Sequence, residues 1–247
     1  MTVITSPQNP AIKAIRALSE KKNRTDSGLF LAEGEKVLAR ARDLGWEPET
    51  VLATGPAAPW GKATILSVTE AVMAKVSGQR NPPATAATFR QRWQTKVTER
   101  GLWLALDGLR DPGNLGTILR TADAVGAAGV ILAGNSADPY GPECVRATMG
   151  SIFALPLVRM GLDDLAGLCR SWPGEAVAAV VDGAVDYRKS YNAPTLLAIG
   201  SEGRGLAPEL AQACASLVRI PMRDGPQSLN VAIATSLLLF EICRPQL

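Results

Sequence analysis

Five short apolar runs punctuate the second half of this 247-residue chain and constrain its fold more than any other feature. They span 102–107, 129–133, 176–181, 195–200 and 216–220. Helical patterns separate them, at 115–126, 143–150, 162–171 and 228–243. Short runs with so little polar alternation suit strands buried on both faces. Strands that alternate with helices predict an α/β fold, with a mainly parallel sheet flanked by helices. Ligands of such sheets bind where loops leave the carboxyl ends of strands.

The first half reads as a smaller α/β domain. "NPAIKAIRALSEKK" sets Ile12, Ile15 and Leu18 at helical spacing, and a short strand is expected from Leu29 to Ala32. "EKVLARARDLG" is a helix closed by Gly45, "TVLATG" and "ATILSV" are strands, and "TEAVMAKVSG" is a helix with Thr69 near its cap. Asn81-Pro82-Pro83 cannot continue a helix, and the small residues that follow read as a connector. The expected division is a domain over 1–80, a linker over 81–100 and a second domain over 101–247.

Charge is divided between the halves. Residues 1–100 carry fifteen Lys/Arg against nine Asp/Glu, and residues 101–247 carry eleven against fourteen. A basic half beside a mildly acidic one suggests that the first holds a polyanion, although the same balance also describes ordinary surface charge. The densest positive segment holds Lys13, Arg16, Lys21, Lys22 and Arg24. No apolar run approaches the ~20 residues of a membrane span, and no secretory signal pattern is seen, so a cytoplasmic protein is expected. The chain has no histidine, and its four cysteines form no C-x-x-C pair. Free thiols and no metal site are expected, and any catalysis proceeds without imidazole.

Three loops follow strands and carry unusual residues. In "LDGLRDPGNLGTILR", Asp111-Pro112-Gly113 is a turn and Asn114 is well placed as a helix N-cap. Arg120 lies off the apolar stripe of the helix that follows, with small Gly116 one turn earlier. It either reaches a substrate across that gap or pairs with Asp123 or Asp111. In "LLAIGSEGRGL", three glycines (200, 203 and 205) surround Glu202 and Arg204. The phosphate-loop pattern fails because Leu206 stands where a lysine belongs, and the dinucleotide pattern fails on order. Backbone donors without a phosphate lysine favour a nucleoside-like ligand, and a plain glycine turn is the other reading. In "RIPMRDGPQSLNVAIATSLLLFEI", Ser228 is expected to cap a long helix that is apolar almost all round and therefore buried in a core or an interface. Ser228 and Asn230 form a polar cluster at its start that suits a carboxylate or a sugar, or serves only to cap.

Taken in order, the three loops resemble those of SpoU-type 2′-O-ribose RNA methyltransferases of the SPOUT superfamily. Asn114, Gly116 and Arg120 match N-x-G-x-x-x-R; Gly200, Glu202 and Gly205 match G-x-E-x-x-G; Ile220-Pro221-Met222 and Ser228-Leu229-Asn230 match I-P-M with S-L-N. "VRATMGSIFALPL" is similar to the family's intermediate segment, and residues 1–80 to a ribosomal-protein-like substrate-binding domain. Gln227 and Ala232 depart from many relatives, which have Glu and Ser there.

The resemblance implies a C-terminal trefoil knot, a homodimer through the C-terminal domain, RNA as substrate and S-adenosylmethionine as methyl donor. It implies a cofactor site at Gly200, Gly205, Ile220, Met222, Ser228 and Leu229. Arg120, Asn114, Glu202, Ser228 and Asn230 become the catalytic candidates. Lys13, Arg16, Lys21, Lys22, Arg24 and Arg120 become the RNA contacts, with ribosomal RNA the first choice of substrate and transfer RNA the alternative. Two rivals remain: a nucleotide-dependent enzyme of another kind, which lacks its defining loop here, and an RNA-binding protein that kept the fold without the reaction.

Overall fold

The computed structural model of the chain describes residues 2–182, 185–223 and 228–247, which divide into two compact units. Unit 1 comprises Met1–Gln91 and Asp138–Ala154; unit 2 comprises Arg92–Ala137 and Leu155–Leu247.

Unit 1 begins with α1 (Pro10–Ala17) and α2 (Lys21–Ser27), followed by β1 (Leu29–Glu33) and α3 (Glu35–Asp43). Then come β2 (Thr50–Ala53), β3 (Thr64–Ser67), α4 (Glu70–Ser77) and β4 (Thr85–Arg90). Asn9 caps α1 through a bond from the Ala11 amide, and Thr69 caps α4 through one from Val72, as a side-chain oxygen at that position does. The sheet order is β1-β4-β2-β3, with β4 antiparallel to both its neighbours. The 81–100 linker expectation is thereby corrected. Its residues 85–90 form an inner strand, and Ala86, Ala87 and Phe89 on it are buried.

Unit 2 contains β5 (Leu102–Asp107), α5 (Pro112–Ala124) and β6 (Gly129–Ala133). Next in the chain is α6 (Pro142–Ala147), which belongs to unit 1. Unit 2 resumes with β7 (Leu157–Met160), α7 (Leu162–Ser171), β8 (Glu175–Ala179) and β9 (Val185–Asp186). It ends with β10 (Thr195–Gly200), α8 (Pro208–Ala213), β11 (Ser216–Arg219) and α9 (Val231–Cys243). The sheet order is β7-β6-β5-β10-β8-β11-β9, and every pairing is parallel. One face places Trp103, Ala105, Ile131, Leu196 and Ala198 against Leu165 and Cys169 of α7 and Leu210 of α8. Alternate residues Leu104, Leu106, Leu197 and Ile199 point the other way and are equally buried. α5 packs on β6, and α9 packs along α5.

The segment Asp138–Ala154 lies between two strands of the unit 2 sheet in sequence, yet it completes the core of unit 1. Phe30 of β1 stacks within 4.7 Å of Tyr140 and 5.8 Å of Phe153, and Trp46 meets Phe153 at 5.0 Å. The Trp46 indole N–H also donates to the Phe153 carbonyl at 2.8 Å. Glu33 at the end of β1 accepts from Arg146 at 3.0 Å and from Gln79 at 3.3 Å. The domain expected to begin at 101 is therefore interrupted by residues of unit 1.

Candidate ligand site at the carboxyl ends of the unit 2 strands

A cavity of about 480 Å³ opens where β8, β10 and β11 end. Its apolar wall includes Ala179, Val180, Ile199, Val218 and Leu238, and its loop wall runs from Gly200 to Leu206. Ile220, Met222, Ser228 and Leu229 complete it, so all six residues expected to hold a cofactor line one space. The volume falls in the range of small-molecule sites, and apolar walls with a few convergent polar groups are their usual lining.

Gly200 is demanded by the turn that follows it. The Ser201 and Gly205 backbones bond to each other in both directions, at 2.8 and 3.2 Å. A Cβ on Gly200 would lie 2.0 Å from the Gly205 carbonyl carbon and 2.0 Å from the Leu206 nitrogen. Any side chain there is excluded, and the loop folds flat against the end of β10.

The three motif loops are joined by one chain of side-chain hydrogen bonds. Asn114 donates to the Glu202 carboxylate, and Asn230 donates to the Asn114 carbonyl at 3.1 Å. The Asn230 side-chain oxygen accepts from the Ala232 and Ile233 amides at 2.9 and 3.2 Å. Two expectations about caps are corrected here. Asp111, not Asn114, caps α5, accepting from the Asn114 amide at 2.6 Å. Asn230, not Ser228, caps α9. Asp111 and Asn230 reach the free amides at each helix start first, so Asn114 is released to bridge the other two loops. Glu202 and Ser228 line the cavity itself. The polar turn after Arg223, and with it the Gln227 departure, lies at 224–227, outside the described residues.

Arg120 is exposed on α5 and does not line the cavity of its own chain. Asp111, one of the two carboxylates expected as its partner, is engaged instead in the cap of α5. Its neighbour Thr121 shares a 3.2 Å hydrogen bond with Ser236 of α9. α9 is not buried all round: Ile233, Leu237 and Phe240 are 54%, 39% and 51% exposed, one stripe at helical spacing.

Lys13, Lys21 and Lys22 are exposed and Arg16 is half-buried. Arg24 is corrected. It donates to Asp138 at 2.7 and 3.0 Å and to the Leu18 and Ser19 carbonyls, wholly inside unit 1. Sequence reasoning missed Asp107, which is fully buried, accepts from Arg204 and the Ala207 amide, and stands at the foot of the glycine loop. The only signal was an acidic residue closing an apolar strand. All four cysteines are free, and burial raises the Cys243 thiol above its ordinary value. Among the described residues no cluster of acidic or thiol side chains could hold a metal, and no helix is long and apolar enough to cross a membrane.

A parallel sheet with a cavity at its carboxyl ends, walled by two loops that a third ties together, has the architecture of a ligand-binding α/β protein. Residues 101–240 match the SpoU rRNA Methylase family, and residues 9–87 match the MRM3-like substrate binding domain. The chain belongs to the SpoU rRNA methylase family. It is 32% identical to the 23S rRNA (uridine(2479)-2'-O)-methyltransferase of Streptomyces viridochromogenes, over 93% of this chain and 88% of that one. It is 28% identical to the 23S rRNA (guanosine(2553)-2'-O)-methyltransferase RlmP of Bacillus subtilis, over 98% and 99%. Among solved structures, the AdoMet-bound rRNA methyltransferase from Sinorhizobium meliloti superposes with a TM-score of 0.89 at 41% identity, covering 100% of this chain and 98% of that one.

Proposed function

We propose that this protein transfers a methyl group from S-adenosylmethionine to a ribose 2′-hydroxyl of ribosomal RNA, in the cytoplasm. The observation that carries the reading is the bond chain Glu202–Asn114–Asn230, which ties the start of α5 to the two motif loops that wall the cavity. The residues present fit the donor: apolar Ala179, Val180, Ile199 and Leu238 suit a purine face, and the 200–206 main chain offers polar edges. When bound, S-adenosylmethionine supplies an already activated methyl group. Gly200, Gly205, Ile220, Met222, Ser228 and Leu229 hold it, and Asn114 and Asn230 keep the loops in register.

The remaining work is alignment of the hydroxyl and stabilisation of its developing charge. A guanidinium offers donors and no acceptor, so Arg120 binds the adjacent phosphate and stabilises the 2′-oxygen. One well-placed donor of this kind contributes roughly 3–4 kcal/mol. The exposed stripe Ile233, Leu237 and Phe240 pairs two chains into a homodimer, and α5, packed along α9, carries Arg120 to that interface. A C-terminal trefoil knot is part of the same reading, carried by the family membership. Lys13, Arg16, Lys21 and Lys22 supply RNA contacts in unit 1.

The test is methyl transfer from labelled S-adenosylmethionine to ribosomal RNA and, separately, to transfer RNA, with mapping of 2′-O-methyl sites. Arg120→Ala is expected to abolish transfer while cofactor affinity and melting temperature hold. Near wild-type rates in that variant would remove Arg120 from the mechanism, and label on transfer RNA alone would move the substrate class.

A further inference from the structure

Asp107 closes β5 with its carboxylate fully buried. A carboxylate taken out of water is costly unless both oxygens are satisfied. Here Oδ2 accepts from the Ala207 amide at 3.0 Å and Oδ1 from the Arg204 guanidinium at 3.3 Å. Space for that carboxylate is built in from the neighbouring strand. Gly134, just past β6, has φ +59°, and a Cβ on it would lie 3.1 Å from Asp107 Oδ1. One carboxylate thus holds both ends of the segment Arg204–Ala207, whose Arg204, Gly205 and Leu206 line the cavity. On the other side of the same turn, Gly200 admits no side chain. The cavity wall is fixed from below by a glycine and from behind by an ion pair.

We propose that Asp107 and Arg204 are a positioning pair that sets the cofactor loop in its binding shape, acting on donor affinity and not on RNA recognition. The inference rests on the reading of the cavity as the S-adenosylmethionine site. Asp107 does not itself line the cavity, so its influence passes through the loop. Arg204 is two-thirds exposed, and only its guanidinium tip is tied down. Removing the tip frees the turn between residues 201 and 205 without opening a hole in the core.

The test is calorimetric titration of S-adenosylmethionine into the full-length wild type and into Arg204→Met, Asp107→Asn, the double variant and Arg204→Lys. Ribosomal RNA affinity and melting temperature are measured alongside. Arg204→Met and Asp107→Asn should each weaken donor binding about tenfold, the size expected from losing a charge-assisted hydrogen bond. The double variant should bind no more weakly than either single one, because both substitutions remove the same interaction. Arg204→Lys should regain most of the loss, and RNA affinity should stay within about twofold throughout. Unchanged donor affinity in Arg204→Met, or additive losses in the double variant, overturns the pair. So does a lowered melting temperature with donor affinity intact, which marks a purely structural role. If Asp107→Asn does not fold, Arg204→Met carries the test alone. If the wild type itself binds no S-adenosylmethionine, the reading of the cavity falls and the pair with it; if the wild type binds and the variants bind equally, only the pair falls.

Discussion

Arg24 sits in the densest basic segment of the chain, yet its guanidinium makes four hydrogen bonds inside unit 1. Its side chain and that of Asp138 are 5% and 9% exposed. Removing one partner of such a pair strands the other charge, at a cost of about 3–5 kcal/mol. Arg24→Ala should therefore lower the urea midpoint of unfolding sharply, whereas Lys21→Ala, on an exposed neighbour, should leave it almost unmoved. A midpoint unchanged in Arg24→Ala would return this residue to the surface cations. Sequence could not separate Arg24 from Lys21, because the partner that buries it is 114 positions away. The same limit applied to the caps. Asp111 and Asn114 are both good cap residues, as are Ser228 and Asn230, and only the observed bonds choose between them.

At the scale of elements, β5, β6, β8, β10 and β11 were legible to within two residues as apolar runs, whereas β7 and the two-residue β9 were not expected. An uninterrupted apolar run has few other uses in a chain of this composition. β4 was not legible. "TAATFR" follows two prolines and offers small side chains, so its pattern is that of a connector, while its burial comes from neighbours on both sides. α9 was legible as a helix but not as a half-covered one, since an all-apolar pattern cannot reveal which side a neighbour covers. Its stripe carries a prediction: under the proposed pairing of two chains, Phe240→Glu, at the C-terminal end of the stripe, should convert a dimer into a monomer in sedimentation equilibrium. Activity should fall with it if Arg120 works at that interface. A monomeric wild type, or a variant that stays dimeric, would assign the stripe elsewhere.

For the whole molecule, the asymmetry of charge becomes a measurable salt dependence. Lys13, Lys21 and Lys22 are exposed, and each phosphate that one of them neutralises should add about 0.7–0.9 to the steepness of log affinity against log salt. Replacing all three by Gln should therefore flatten that slope by about 2–3 for ribosomal RNA. An unaltered slope would move RNA binding to another face. The α/β class with its parallel sheet was readable in advance, but the apolar wall of the cavity and the partition of the chain were not. Nothing local marks 138–154 as belonging with the first ninety residues; that follows from aromatic rings meeting across more than a hundred positions. The basic unit is consequently not a bead that can be snipped from a string. A fragment ending at Gln91 would leave Phe30 and Trp46 without Tyr140 and Phe153, and a fragment beginning at 92 would trail a strip of someone else's interior. Exchanging unit 1 for that of a relative would require transplanting residues 1–91 and 138–154 together.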